Sequence, residues 1–151
     1  MDKLANAPQA ELQLLRFRDD EPHEEPAVSI DAFLGQSNAT AVRIEAGEDA
    51  RLLIPYLDRI ALVEIDFPRF RDGRGYSSAR ILREAGYKGE IRASGDVLID
   101  QMLFMRRCGF DSFAPDAPID PVALESALNR FPYVYQHAAD EAVPVWKLRH
   151  G

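Results

Sequence analysis

Charge at every second position in three successive short stretches is the feature that most narrows what this chain can fold into. Arg43 and Glu45, then Glu64 and Asp66, then Glu90, Arg92 and Ser94 alternate with Val42 and Ile44, with Val63, Ile65 and Phe67, and with Ile91 and Ala93. A period of two is the period of a strand, so each stretch reads as a strand with one apolar and one polar face. Parallel strands sandwiched between two helical layers are apolar on both faces. These three are not, so a sheet built from them is expected to carry its helices mainly on one face, against Val63 and Ile65.

The spacing along the chain supplies the helices. Strand patterns at Ala41–Glu45, Ala61–Asp66, Glu90–Ser94 and Phe110–Ala114 are separated by helical patterns at Asp49–Asp58, Ser77–Ala85 and Asp96–Cys108. A further helix over Asp120–Asn129 has Asp120 as N-cap and Pro121 in first position. Gly86 and Gly109 stand where left-handed C-caps want glycine. Strands alternating with helices of this length imply a parallel sheet with crossover connections. The expected fold is therefore α/β, a partial or half (β/α) barrel, in preference to a flavodoxin-like sandwich. An open half barrel exposes its polar face, so self-association is expected, or burial of that face by the chain's own ends, with Val143–Trp146 as the cover.

Asp19–Pro26 is acidic and proline-bearing and reads as a flexible linker. Residues 1–28 thus form a partly flexible acidic segment, in which Leu12–Arg18 has the pattern of an edge strand. Residues 29–151 form a single domain with a C-terminal arm. Ser29 reads as the N-cap of a short turn over Ile30–Leu34 that Gly35 ends. At 151 residues such a domain buries enough surface to fold without disulfides or metals. The single cysteine, Cys108, reads as a buried structural thiol, and no Cys/His cluster has metal-ligand spacing. No apolar run approaches a membrane span and no signal-peptide pattern is present, so the chain is expected in the cytoplasm, with no membrane partner.

A net charge of −7 argues against nucleic acid as a partner. Its distribution is uneven. Residues 69–92 hold seven basic side chains against three acidic ones, a local +4 that leaves −11 for the remainder. The densest part is the link from Asp66 to Ser78, between a strand and a helix, where ligands of α/β proteins bind. Arg69, Arg71 and Arg74 offer guanidinium forks, Gly75 lets backbone amides turn toward an anion, and Ser77 or Ser78 reads as the helix cap. Arg92, on the polar strand face, joins this anion-binding set. The link lacks the spacing of a phosphate-binding P-loop or a dinucleotide fingerprint. Two readings stay open, an anion site and a turn that contacts a partner. Asp66 and Asp96 are placed on one strand-end rim and are the candidate acid–base pair, although Asp96 also reads as a helix N-cap. No cofactor motif occurs.

The run Glu64-Ile-Asp-Phe-Pro-Arg-Phe-Arg-Asp-Gly-Arg-Gly-Tyr-Ser77, with Arg80-Ile-Leu-Arg83, Gly95-Asp-Val-Leu98, Asp100-Gln101 and Arg107-Cys-Gly-Phe-Asp111, resembles a bacterial family catalogued as domain of unknown function nine-three-four. The resemblance covers about residues 30–115. It implies a place in the sulfate-to-cysteine pathway, because genes of the family commonly neighbour those of assimilatory sulfite reductase, and it assigns no catalytic residue. Two functions follow as expectations. The first is an accessory protein of sulfite reduction that binds an oxyanion, the reductase or another sulfate-assimilation protein. The second is a small enzyme acting on a phosphorylated or sulfated metabolite through Asp66 or Asp96.

Overall fold

The computed structural model describes residues 14–35, 38–69 and 73–129. The C-terminal arm expected to cover the polar face, and Arg71 of the basic link, lie outside them. Six strands form one sheet: β1 (Leu15–Arg16), β2 (Val28–Ser29), β3 (Ala41–Ile44), β4 (Leu62–Phe67), β5 (Glu90–Gly95) and β6 (Ser112–Pro115). Their spatial order is β1-β6-β5-β4-β3-β2. All neighbours are parallel except β1, which runs antiparallel to β6 at the edge. The architecture is thus mixed α/β with a mostly parallel sheet, and from β2 to β6 the strand order never reverses.

Helices α1 (Ile30–Gly35), α2 (Gly73–Glu84), α3 (Met102–Cys108) and α4 (Pro121–Asn129), with 3₁₀ segments at Ala50–Arg59 and Ile99–Gln101, fill the connections. Phe33 of α1, Leu53 of the first 3₁₀ segment, Leu82 of α2, Met102 and Met105 of α3 and Leu124 of α4 join one core cluster with Val42, Ile44, Val63, Ile65, Phe67, Ile91 and Ala93. The apolar parity of the three strands therefore packs as a single surface. Burying each such side chain contributes about 1.5–3 kcal/mol.

The register lines up the polar parity as well. Arg43 is opposite Glu64, Glu64 is opposite Arg92, and Arg92 is opposite Ser112, while Asp66 is opposite Ser94. One row of charge crosses four strands. Ser29 accepts a hydrogen bond from the Ala32 amide at 3.1 Å, as an N-cap does. Gly86 and Gly109 take the left-handed conformation at φ 97° and 114°. At the second of these turns the Gly109 and Phe110 amides reach back to Arg106 and Met105 carbonyls at 3.0 and 3.1 Å.

Three boundaries differ from expectation. The segment after Asp49 is a ten-residue 3₁₀ helix, with Pro55 inside it. Proline lacks the amide that an α-helix would use there and crowds the carbonyl four residues back. Helix α2 begins at Gly73, so Ser77 and Ser78 lie inside it and neither caps it. Asp96 is not an N-cap either. The chain turns at Gly95, φ 93°, and the Asp96 amide donates to the Phe67 carbonyl at 2.7 Å. That tether holds residues 96–98 out of helical geometry, and the helix starts three residues later as 3₁₀.

Candidate functional site at the strand-end rim

The carboxyl ends of β3, β4, β5 and β6 lie side by side, and the residues that leave them form a rim: Glu45, Pro68 and Arg69, Asp96, and Asp116. The arginines of the basic link part company here. Arg69 is exposed just beyond β4. Arg74 is exposed in the first turn of α2, and its guanidinium extends to the loop after β3, where Nη1 would lie 3.2 Å from a Cβ placed at Gly47. Ser77 presents an exposed hydroxyl one turn further on. By the helical hydrogen-bonding pattern its amide lies past the first four, so the amides without a partner inside the helix belong to the turn around Gly73–Gly75.

Gly75 has a packing reason for being glycine. A Cβ there would stand 2.5 Å from Cζ of Phe67, closer than real contacts allow. The Phe67 ring is held in turn by Tyr76 and Phe110, with centroids 5.3 and 5.7 Å away. The absence of a side chain at Gly75 lets the start of α2 sit directly on the end of β4.

Arg92 lies three residues before the end of β5, roughly 10 Å below the rim. Its Nη2 donates to Glu90 Oε2 at 3.0 Å and its Nε to Ser112 Oγ at 3.3 Å. It belongs to the charge row. At the near end of that row one guanidinium serves three carboxylates: Arg43 donates to Glu45 at 2.8 Å, to Glu64 at 2.6 Å and to Asp66 Oδ1 at 3.0 Å. Burial alone would lower the Arg43 guanidinium, but these carboxylates outweigh it and hold it above its ordinary value. Asp66 is shifted upward, first by burial and then, against the pull of Arg43, by the charges of Glu45, Asp116 and Glu64. A carboxyl that retains its proton more readily than usual at a strand end is suited to acid–base work. Asp96 shares the rim, its backbone fixed to Phe67.

At the far end of the row lies a network that sequence reasoning missed. Arg16, 1 % exposed, donates through Nε and Nη2 to Glu90 Oε1 at 3.1 and 2.9 Å. Further bonds run from Arg16 to the carbonyls of Arg18, Asp20 and Glu21 and to the Asp20 carboxylate. The Ser112 hydroxyl donates to Glu90 Oε2 at 2.6 Å. Burial pushes the Glu90 carboxyl up, yet the bonds from Arg16 and Ser112 and the charge of Arg92 outweigh it and leave it below the ordinary value. Asp20, hydrogen-bonded by Arg18 first and by Arg16, is held at about 2. The acidic segment is thus tied down at Asp20 and Glu21. One signal was legible: Arg16 interrupts the apolar run Leu14-Leu15-Arg16-Phe17. Its partner, 74 residues away, was not.

Arg83 is structural too. It donates to the carbonyls of Tyr87, Gly89 and Gly109 and, at 2.6 Å, to Asp111 Oδ2, which also accepts from Arg18 at 3.1 Å. Cys108 is buried and free. Among the described residues no cluster of His, Cys, Asp or Glu is arranged to hold a metal, and no helix is long and apolar enough to cross a membrane. A cleft of about 550 Å³, lined by Ile54, Pro55, Leu57, Tyr87 and Lys88 among others, opens at the opposite ends of the strands from Asp66.

A mostly parallel α/β sheet with a polar rim of this kind fixes the fold class and does not by itself assign a function. Residues 41–146 match the model of a bacterial protein family of unknown function, DUF934, and the chain belongs to that family. Comparison with curated proteins and with solved structures returns no match.

Proposed function

We propose that this protein is an accessory of assimilatory sulfite reduction, in the cytoplasmic route from sulfate to cysteine, and that it binds an oxyanion or the reductase through the basic link after β4. The observation that carries this reading is the placement of exposed Arg69 and Arg74 beside the start of α2, at the carboxyl rim of a parallel sheet. Anions are stabilised at such a helix start, and guanidinium groups add bidentate recognition. Family membership adds the pathway through the gene neighbourhood that the sequence resemblance implies. The strand order without reversal and the shared apolar cluster support reading the sheet as a half barrel, since right-handed crossovers that all step the same way fall on one face.

The test is capture of the tagged protein from cells grown with sulfate as sole sulfur source. The reductase should co-purify with the wild type and be depleted with Arg69→Ala/Arg74→Ala. Equal recovery with both proteins, or none with either, removes the reductase as partner. The upward shift of Asp66 favours a second reading, a small enzyme acting on a phosphorylated or sulfated metabolite. In that case the Asp66→Asn variant loses turnover of such a compound while keeping the fold, and turnover that survives the substitution excludes Asp66 from the chemistry.

A further inference from the structure

The cleft of about 550 Å³ at the amino ends of the strands lies between two stretches of chain. Residues 54–60, the second half of the first 3₁₀ segment and its cap, form one wall, and residues 85–89, the turn from α2 to β5, form the other. The Tyr87 hydroxyl donates to the Ile60 carbonyl at 3.1 Å and joins the walls at the floor, where Ile60 and Tyr87 are 5 % and 4 % exposed. Ile54, 39 % exposed, and the exposed Asp58 and Lys88 stand at the mouth. This size, and a mostly apolar lining with a few polar groups, are those of a small-molecule site.

The second wall is held in place by its own bonds. The Gly86 and Tyr87 amides donate to the Arg83 and Leu82 carbonyls, both at 3.0 Å, which closes the end of α2. Arg83 Nη1 donates to the carbonyls of Tyr87 and Gly89, both at 2.8 Å, and Arg18 Nη1 to that of Lys88 at 3.4 Å. The peptide bond between Tyr87 and Lys88 is trans, so the Lys88 amide points away from Arg83, and no described residue accepts from it. Two charges of opposite sign line the cleft, Asp58 on one wall and Lys88 on the other, and neither has an ion-pair partner among the described residues. The neighbouring charges lie outside the lining. Arg59 stacks over Phe33 and Tyr56, 5.1 and 5.6 Å from the ring centroids. Arg18 and Arg83 share Asp111, and Arg18 also holds Asp20. Glu84 is exposed on the last turn of α2, before the lining begins.

We propose that this cleft binds a free α-amino acid with an aliphatic side chain. Lys88 takes the carboxylate through its ammonium and its amide, and Asp58 takes the ammonium of the ligand. The aliphatic side chain lies on Ile54, Leu57 and Ile60. A ligand with one charge leaves the opposite charge of the lining unanswered, and one without apolar surface leaves the floor uncovered. The site is at the other end of the sheet from the basic link and does not depend on the anion reading.

The experiment is titration of the isotope-labelled full chain with L-leucine and L-valine, followed by amide resonances. Three comparators are run at matched ionic strength: 4-methylpentanoate, which is leucine without its ammonium, 3-methylbutylamine, which is leucine without its carboxylate, and glycine, which has no apolar side chain. At least one of the two amino acids should give saturable shifts at Gly86, Lys88 and Gly89, and each comparator should bind about tenfold more weakly or worse, in keeping with the loss of a charged hydrogen bond or of apolar burial. Asp58→Asn and Lys88→Gln should each weaken that amino acid about tenfold. Both substitutions are at exposed positions, so the variants are expected to fold. Shifts that saturate with neither amino acid overturn the site. Equal binding of 4-methylpentanoate or of 3-methylbutylamine would show an apolar cleft indifferent to one of its charges, and it overturns the proposal as well. So do saturable shifts that fall away from the cleft, equal binding of glycine, or unchanged affinity in both variants. The outcome of reductase capture with the arginine double variant has no bearing on this result.

Discussion

Arg16 and Glu90 show how one residue pair far apart in sequence closes a sheet edge. Both side chains are almost wholly buried, at 2 % and 3 % exposure. The separate charges are expensive to bury, and removing one partner of such a pair typically costs about 3–5 kcal/mol. Glu90→Gln should therefore lower the free energy of unfolding by roughly 3 kcal/mol at neutral pH, the low end because Arg16 keeps Asp20 and three carbonyls. The sign of the pH dependence follows from the downward shift of Glu90. Its contribution is fully present above its unfolded value of 4.5 and is lost as pH falls through the lower folded value. Asp66 has the opposite sign: it is shifted upward from 3.8, so its contribution is present below that value and is lost as pH rises through the folded value. Urea unfolding at neutral pH and at about pH 3 checks this. The wild type should weaken in acid, and Glu90→Gln should show a flatter profile. A variant as stable as the wild type at neutral pH would deny the pair its structural weight.

The elements were legible to different degrees, for physical reasons. Period-two charge located β3, β4 and β5 to within one residue, and it put Glu64 and Asp66 on the face where the structure has them. The two-residue β2 is too short to show a period. The start of α2 was misplaced by four residues because Gly73 and Gly75 look like loop residues, whereas Gly75 is required by a contact with Phe67 that no local pattern reveals. This contact has a measurable consequence. Alanine is the better helix former by about 1 kcal/mol. Overpacking against a ring wedged between Tyr76 and Phe110 costs about 1–3 kcal/mol, and we expect it to win. Gly75→Ala should lower the thermal midpoint. A rise in the midpoint would mean that propensity alone governs Gly75 and that the ring yields. Much of the sequence pattern that marks the family has a structural role of this sort: Arg83 binds Gly109 and Asp111, and the Asp96 amide binds the Phe67 carbonyl.

For the molecule as a whole, the acidic balance and the basic island fall on neighbouring parts of one rim. Arg69, Arg74 and Ser77 stay exposed, whereas Arg92 and Arg83 are engaged by their own fold. The sequence marked every one of these as basic or polar, and only three dimensions sort the exposed from the buried. The acidic cluster around Asp66 was half legible, as strand parity, and Asp116 joins it only because β6 lies beside β5. Charge-assisted bidentate bonds each contribute about 1.5–3 kcal/mol, so two arginines together decide whether an anion is held. The most direct measurement is calorimetric titration of the protein with sulfate, sulfite and phosphate at low ionic strength, alongside Arg69→Ala/Arg74→Ala. The account predicts saturable binding of at least one anion, weakened about tenfold or more in the double variant and steeply reduced by added salt. No binding of any of the three by the wild type, or equal binding by the double variant, would contradict it.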